Sequence, residues 1–420
     1  MTENEDHDHT HDDHGDHAHD DHGHGHADDA SDATAVDGGI ASHGTGIDTD
    51  TATTAPTSSS AVRTTDLRER VQLVGVALVG LLAAAMIGFI ALDWLRRYPG
   101  AEAFGPLETF YTTTGIDPAA GYLFEQFLIA GAWFDYFLGT ELFQYAFMWR
   151  NLATGVLIGV VAPLVGTYLV HRQMALIGET LAHTAFAGVA VGLLFIAVTG
   201  WEGALLYIAL LVSVIGALGV QWLTERTNSF GDVPIAIMLT GSFAVGTLLI
   251  SWGRGFMSIG IEIEEFLFGS LSVVSASGSR LMAMLTVGVV AVVAVTYKQL
   301  LFITFDEQAA RVARLNVSAY NTLLIVMTAV VVVGAMQVLG VILVAGMLVI
   351  PVAAASQIAR SFRETLYLSI LFGQLSILGG YTFALSQSLP SGGSIIVVAI
   401  AIYLLAIAVS DRTGGTISVH

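Results

Sequence analysis

The chain has 420 residues, of which 54% are hydrophobic and only 12% are charged, and its formal net charge is -19. Soluble domains have roughly a quarter of their residues charged, so this composition predicts a membrane protein and argues against a soluble domain. The absence of cysteine excludes disulfides, cysteine–zinc sites, iron–sulfur clusters and thiol nucleophiles.

A tail rich in histidine and aspartate opens the chain, with nine of each residue between Asp6 and Asp29. Residues 1–65 contain almost no large apolar side chains, so we expect this tail and its linker to be disordered. Neutral imidazoles beside carboxylates suit zinc, nickel, copper or cobalt, which predicts an auxiliary metal-binding arm. The candidate ligands are His7, His9, His11, His14, His17, His19, His22, His24 and His26. The alternative is a solvated acidic arm in which the histidines are incidental.

Apolar segments long enough to cross a bilayer follow the tail, so we expect an all-α polytopic membrane protein with about 9–10 transmembrane helices. Residues 66–97 contain an additional first helix, residues 98–148 an external loop with interfacial helices, and residues 149–412 the remaining core. The predicted spans lie near residues 71–95, 151–170, 180–199, 203–223, 233–252, 280–303, 321–339, 340–358, 365–386 and 393–410. Arginines concentrate in the loops that this order places in the cytoplasm, which also puts the tail there. The expected location is the cell membrane.

An ionisable pair, Glu179 and His183, interrupts one of the apolar segments. Charged residues inside spans are costly and by default suggest a function. Residues four apart share one face of a helix, and a carboxylate oxygen with an imidazole nitrogen makes half of a zinc or manganese shell. From the spacing alone, a hydrogen-bonded Glu–His pair that stabilises a helix contact explains the pattern equally well.

Four motifs in order along residues 145–410 resemble the zinc/manganese/iron permeases of ATP-binding-cassette importers, the integral membrane subunit. The first is LVHRQMALIGETLAHTAFAGVA at residues 169–190, similar to the family's Gly-Asp/Glu-x-Leu-x-His signature. The others are EFLFGSL at 265–271, GVILVAGMLVIPVAAA at 340–355 and PSGGSIIV at 390–397. Many relatives have Asp where this chain has Glu179, and the ligand type is the same.

The resemblance implies a permease that forms a homodimer, receives a divalent metal from an extracellular metal-binding protein and is driven by a cytoplasmic ATP-binding-cassette ATPase. It also implies that Glu179 and His183 lie on the translocation pathway. No cofactor is expected to be permanently bound. The expected cargo is zinc first, because of the histidine-rich tail, with manganese or iron second. Membrane lipid is the remaining expected partner, and no nucleic acid is expected.

A charged segment between two spans predicts a short helix, since Asp306 and Glu307 suit its first turn and Arg311 and Arg314 follow. By resemblance this segment couples the permease to the ATPase. Without the resemblance, an ordinary solvated loop helix is the favoured interpretation. The chain has no Walker-type GxxxxGK[ST] motif, so ATP hydrolysis is expected in a partner and not in this chain.

A proton-coupled metal carrier is the main alternative function, because such carriers also have histidine-rich loops. They normally need several acid–His pairs on at least two spans, and only one such pair occurs in this sequence. An intramembrane metalloprotease would need His-Glu-x-x-His or an equivalent third ligand, which the chain lacks. A non-metal cargo such as a siderophore complex leaves the tail and the Glu179/His183 pair unexplained.

Overall fold

The computed structural model describes residues 59–97, 116–139, 141–201, 205–226, 233–253, 269 and 274–414. Twelve helices and no strand occur within these residues, which confirms the all-α prediction. The helices are α1 (Ser59–Arg97), α2 (Ile116–Leu138), α3 (Ala146–His171), α4 (Ala175–Thr199), α5 (Leu205–Arg226), α6 (Val233–Gly253), α7 (Ala276–Phe305), α8 (Glu307–Val312), α9 (Val317–Leu339), α10 (Val341–Ile358), α11 (Phe362–Gln387) and α12 (Ser391–Gly414).

Nine helices of the described residues are long and apolar enough to cross a membrane, and α10 is a shorter apolar helix beside them. The polytopic prediction is therefore confirmed. The predicted span at residues 180–199 begins too late, because α4 starts at Ala175. This earlier start places Glu179 inside the helix, one turn before His183.

Helix α3 lies at the centre of the bundle, with 89% of its most apolar window buried. It packs against α7, α9, α10 and α11, and α1 covers it from a further side. The closest backbone approach is at Gly166, where a Cβ atom would collide with the carbonyl group of Leu348 in α10. Small residues allow helices in membranes to approach this closely, so the α3 sequence is explained by packing.

Buried polar groups join α3 to α11. The Tyr381 hydroxyl donates to the Asn151 carbonyl at 3.0 Å, and the Gln374 amide donates to the Val156 carbonyl at 2.7 Å. The Thr167 and Ser369 hydroxyls are 3.0 Å apart. Hydrogen bonds between helices satisfy polar groups that would otherwise face hydrocarbon, so these residues have structural roles.

Helix α4 packs mainly against α5 and α6, and it reaches the rest of the bundle through α9 and α10. A glycine allows the close approach in each of two contacts, that of α4 with α5 and that of α4 with α6. A Cβ atom at Gly216 of α5 would collide with the Thr184 side chain, and one at Gly246 of α6 would lie 2.7 Å from the Phe186 ring. Helices α5 and α6 therefore pack on α4 beside the α3 core, and α5 also packs against α9.

The two N-terminal helices pack together through aromatic rings. The ring centroid of Phe89 in α1 lies 5.4 Å from that of Phe124 and 5.0 Å from that of Phe127 in α2. After α2 the chain turns back, because the buried Asp135 carboxylate accepts hydrogen bonds from three successive backbone N–H groups at 2.8–3.0 Å. Of the predicted external loop at 98–148, the described residues thus contain α2, a turn closed by a carboxylate and the start of α3, and residues 98–115 and 140 lie outside the described residues.

Candidate metal pathway

A tight turn reverses the chain between α3 and α4. The backbone N–H of Arg172 donates to the Tyr168 carbonyl at 3.1 Å, and that of Met174 donates to the Leu169 carbonyl at 2.8 Å. Gln173 between them has a φ of 57°, a left-handed conformation that costs energy for any residue with a side chain. The turn ends α3 at His171 and fixes where α4 begins.

Three residues, Leu176, Glu179 and His183, form what we call the open face of α4. Glu179 and His183 lie one turn apart on this face. The Glu179 side chain is exposed and His183 is half-buried. Among the described residues, neither side chain has a hydrogen bond, and the two are not bonded to each other. The His183 Nδ1 atom is buried without a partner, and its ring packs edge-on against Phe243 of α6 at 5.1 Å.

This arrangement offers two candidate metal ligands on one face of α4. Gly178 and Ala182 precede the two residues on α4 and are buried in the bundle, whereas the Glu179 side chain is exposed. No group of three or more His, Cys, Asp or Glu side chains within the described residues could hold a metal ion. Within α4, Glu179 and His183 are the titratable side chains that could bind a metal.

The predicted coupling residues lie around α8. Asp306 caps this helix by accepting a hydrogen bond from the Ala309 N–H at 2.8 Å, and Arg311 pairs with Glu307 at 2.6 Å. The helix has only six residues, so Arg314 lies beyond its end, with a φ of 61°. Asp306, Glu307, Arg311 and Arg314 are all exposed, which leaves this segment accessible to another protein.

The predicted ligands of the histidine-rich tail, His7 to His26, lie outside the described residues. Arg172 was not among the predicted site residues, although it belongs to the resembling motif. In the structure it lies in the α3–α4 turn and donates a hydrogen bond to Asn321 of α9. In the sequence, the one signal that pointed to Arg172 was its position in the motif, seven residues before Glu179.

A model of the ABC 3 transport family matches residues 144–410, which is more than half of the chain. The chain belongs to this family. It is therefore a multi-pass membrane permease subunit of the ATP-binding-cassette importers of manganese or zinc, and not itself an ATPase. Such a permease implies an ATPase and a binding protein as partners. Family membership also decides against a proton-coupled carrier. Helices α1 and α2 precede the matched residues.

Relatives match over the same part of the chain. The manganese transport system membrane protein MntC of Halalkalibacterium halodurans is 29% identical, over 66% of this chain and 92% of its own length. The high-affinity zinc uptake system membrane protein ZnuB of Haemophilus influenzae is 24% identical, over 64% of this chain and 100% of its own length. Among solved structures, PsaBC from Streptococcus pneumoniae in complex with Fab is 26% identical, with a TM-score of 0.56 over 63% of this chain and 92% of that chain.

Proposed function

We propose that this permease imports a divalent transition metal along a pathway lined by Glu179 and His183. The observation that carries the proposal is the exposed Glu179 carboxylate, which lies inside a span and makes no hydrogen bond with the described residues. A charged group facing hydrocarbon is expensive, and intramembrane acids face water-filled cavities or partners instead. A hydrated pathway along the open face of α4 meets that requirement.

The pair has the chemistry to carry a dication through the membrane. The carboxylate and the imidazole would transiently replace part of the hydration shell of the metal. Carboxylate and water ligands suit manganese, whereas imidazole suits zinc. Manganese is our first candidate cargo, because the manganese transport protein named above is the more similar relative, at 29% against 24% identity. Zinc is the second candidate, and the nine histidines of the tail favour it.

A second copy of the permease is the proposed source of further ligands. Zinc sites have four ligands and manganese prefers more, whereas the open face of α4 offers two. A two-fold axis beside this face would bring an equivalent Glu179/His183 pair opposite the first. A homodimer would also cover the exposed carboxylates from lipid.

The exposed α8 segment, with its cap Asp306, is the proposed docking site for the ATPase. It lies at the end of the bundle where α3 ends and α4 begins, which we name the Arg172 end. The N-terminal part of α1 is at the same end: the Gln72 amide donates to the Glu364 carboxylate at 2.6 Å, and Glu364 is in the first turn of α11. This shared position supports a cytoplasmic histidine-rich tail, which we propose as an auxiliary metal-binding arm.

Metal uptake by vesicles that contain this chain with its ATPase and binding protein tests the pathway. We expect Glu179→Gln and His183→Ala to abolish ATP-dependent uptake while the complex still assembles. Glu125→Gln is the matched control, since it removes an equally exposed carboxylate from α2, outside the family match. Wild-type uptake in both pathway variants would contradict the site assignment.

Competition in the same vesicles decides the cargo. One experiment measures uptake of radioactive manganese in the presence of unlabelled zinc, and the other measures uptake of radioactive zinc in the presence of unlabelled manganese. Manganese as cargo predicts saturable uptake of manganese that zinc inhibits without itself accumulating. Zinc accumulation without manganese accumulation would make zinc the cargo and overturn our first candidate.

A further inference from the structure

The α3–α4 turn is held by aromatic contacts at the Arg172 end. The His171 ring centroid lies 5.0 Å from that of Phe362, at the start of α11, and 6.5 Å from that of Phe305, at the end of α7. The Phe305 and Phe362 rings are themselves 5.7 Å apart. The Nδ1 atom of His171 also forms a hydrogen bond with the Thr167 carbonyl at 2.8 Å. One side of the turn is thus fixed to α7 and α11.

The other side of the turn is fixed by Arg172. One Nη atom of its guanidinium donates to the Asn321 side-chain oxygen in the second turn of α9, and the other Nη atom is buried without a hydrogen-bond partner. Burial lowers the pKa of Arg172, and the negative charge of Glu307 in α8 opposes that shift. The guanidinium stays charged nevertheless. A neutral amide oxygen is therefore the one hydrogen-bond acceptor that this cation has among the described residues.

Helix α8 is tied firmly to the start of α9. The Leu315 N–H donates to the Ala310 carbonyl at 3.0 Å, and the Asn316 side chain caps α9 by accepting from the Ala319 N–H at 3.2 Å. Asn321 follows one turn later. A displacement of α8 therefore moves Asn321 with it, because the turn between the two helices is closed by its own hydrogen bonds.

Arg172 is also close along the chain to the proposed metal pathway. Glu179 is seven residues away, and the six residues between them lie in the tight turn and the first turn of α4. A helix transmits a displacement of its first turn because its backbone hydrogen bonds link each residue to the next turn. The contact between Arg172 and Asn321 thus joins two stiff segments, one at α8 and one at Glu179.

We propose that Arg172 is a positioning residue whose hydrogen bond to Asn321 transmits movement of the ATPase-docking segment to the pathway residues on α4. The inference rests on the proposed roles of α8 and of Glu179. It adds the link between them: ATP-driven displacement at α8 shifts α9, and the Arg172 contact carries that shift into the start of α4. Loss of the contact uncouples ATP hydrolysis from transport, although the ATPase and the pathway residues Glu179 and His183 are unchanged.

The test measures metal uptake and ATP hydrolysis in parallel in vesicles containing the full complex. We expect Arg172→Ala and Asn321→Ala each to lower the metal taken up per ATP hydrolysed by at least about fivefold, the lower range of coupling between sites. ATP hydrolysis and the retention of manganese by the purified permease should stay close to wild type. Arg360→Ala is the matched control, because it removes an exposed arginine from the α10–α11 turn.

A double-mutant cycle makes the test specific for the contact. If the two side chains act through one hydrogen bond, the double alanine variant should lose no more coupling than either single variant. Arg172→Met serves where Arg172→Ala fails to fold, since it keeps much of the side-chain volume and leaves no buried cation without an acceptor. Additive losses, or unchanged uptake per ATP in both single variants, would overturn the proposal. A parallel loss of manganese retention would assign Arg172 to the fold instead. Failure of wild-type uptake would count against the proposed function.

Discussion

Helices α3 and α4 follow one another in the chain and look alike in composition, yet they differ in burial, with 89% of the most apolar window buried in α3 and 61% in α4. They have 26 and 25 residues, and their most apolar windows have mean hydropathies of 1.9 and 2.1. The Thr154 and Thr167 hydroxyls of α3 have hydrogen-bond partners, the Arg150 and Pro163 carbonyls one turn earlier in the same helix. Glu179 of α4 has none among the described residues. Hydropathy identifies both as spans, whereas the exposed carboxylate of Glu179 distinguishes α4 and supports its proposed role in transport.

Replacing Glu179 by leucine should separate the two helices most sharply. Loss of an outer-shell partner of a metal ligand costs about 10–100-fold in affinity or activity, so loss of a direct ligand should lower uptake by about 100-fold or more. The thermal stability of the purified permease should not fall, because no hydrogen bond with the described residues is lost. Glu125→Leu controls for the charge. A marked fall in stability would place Glu179 among structural residues like those of α3.

Gly166→Ala should have the opposite effect on α3. The new methyl group would collide with the Leu348 backbone carbonyl, which cannot move aside as a flexible side chain does. Overpacking typically costs about 1–3 kcal/mol, and a backbone neighbour places this site at the upper end. Thermal unfolding in detergent measures the loss. Gly241→Ala is the control, since a Cβ there has no neighbour within 4 Å. Equal stability of the two variants would contradict the packing.

Tyr381→Phe should give a smaller loss of stability. It removes the hydroxyl that donates to the Asn151 carbonyl at 3.0 Å and keeps the ring that packs against Gly155. Hydrogen bonds between helices in membranes are worth about 0.6 kcal/mol on average. Uptake should be unchanged, which a vesicle assay checks. A fall in uptake at unchanged stability would show that α3 shares the transport role of α4.

Deletion of residues 2–57 should have the smallest effect on transport. We expect uptake at saturating metal to match wild type, because the proposed pathway lies in α4. Equilibrium dialysis should show that the full chain binds additional zinc and the truncated chain does not. This additional binding should be present near neutral pH and decline as the pH falls through about 6.5, because protonated imidazole does not bind metal. Loss of uptake on truncation would make the tail part of the pathway.

Most of the fold was predictable because length and hydropathy determine which segments can cross a bilayer. The predicted span at 340–358 is close to the observed Val341–Ile358. The late predicted start of α4 has a physical cause: Arg172, Gln173 and Glu179 lower the hydropathy of that stretch, whereas the helix start is set by the backbone hydrogen bonds of the turn.

The candidate site was predictable only where it is local in sequence. Glu179 and His183 are four residues apart, so helical geometry alone places them on one face. The contact between Arg172 and Asn321 joins residues 149 positions apart, and no spacing rule reveals it. Arg314 was expected within the coupling helix, but that helix ends at Val312. Its end depends on the left-handed turn that follows, which residue types did not indicate.

Helices α3 and α4 meet chiefly at their shared turn, since each packs mainly against other helices. A tilt of α4 together with α5 and α6 would therefore slide along the seam where α4 packs against α9 and α10 and α5 packs against α9, and it would leave the side chains around α3 in place. Water could enter the seam from one side of the membrane and then from the other while the dry frame keeps its shape. The free energy of ATP hydrolysis in the partner would then drive the hydration of that seam, and the rest of the molecule would act as its rigid support.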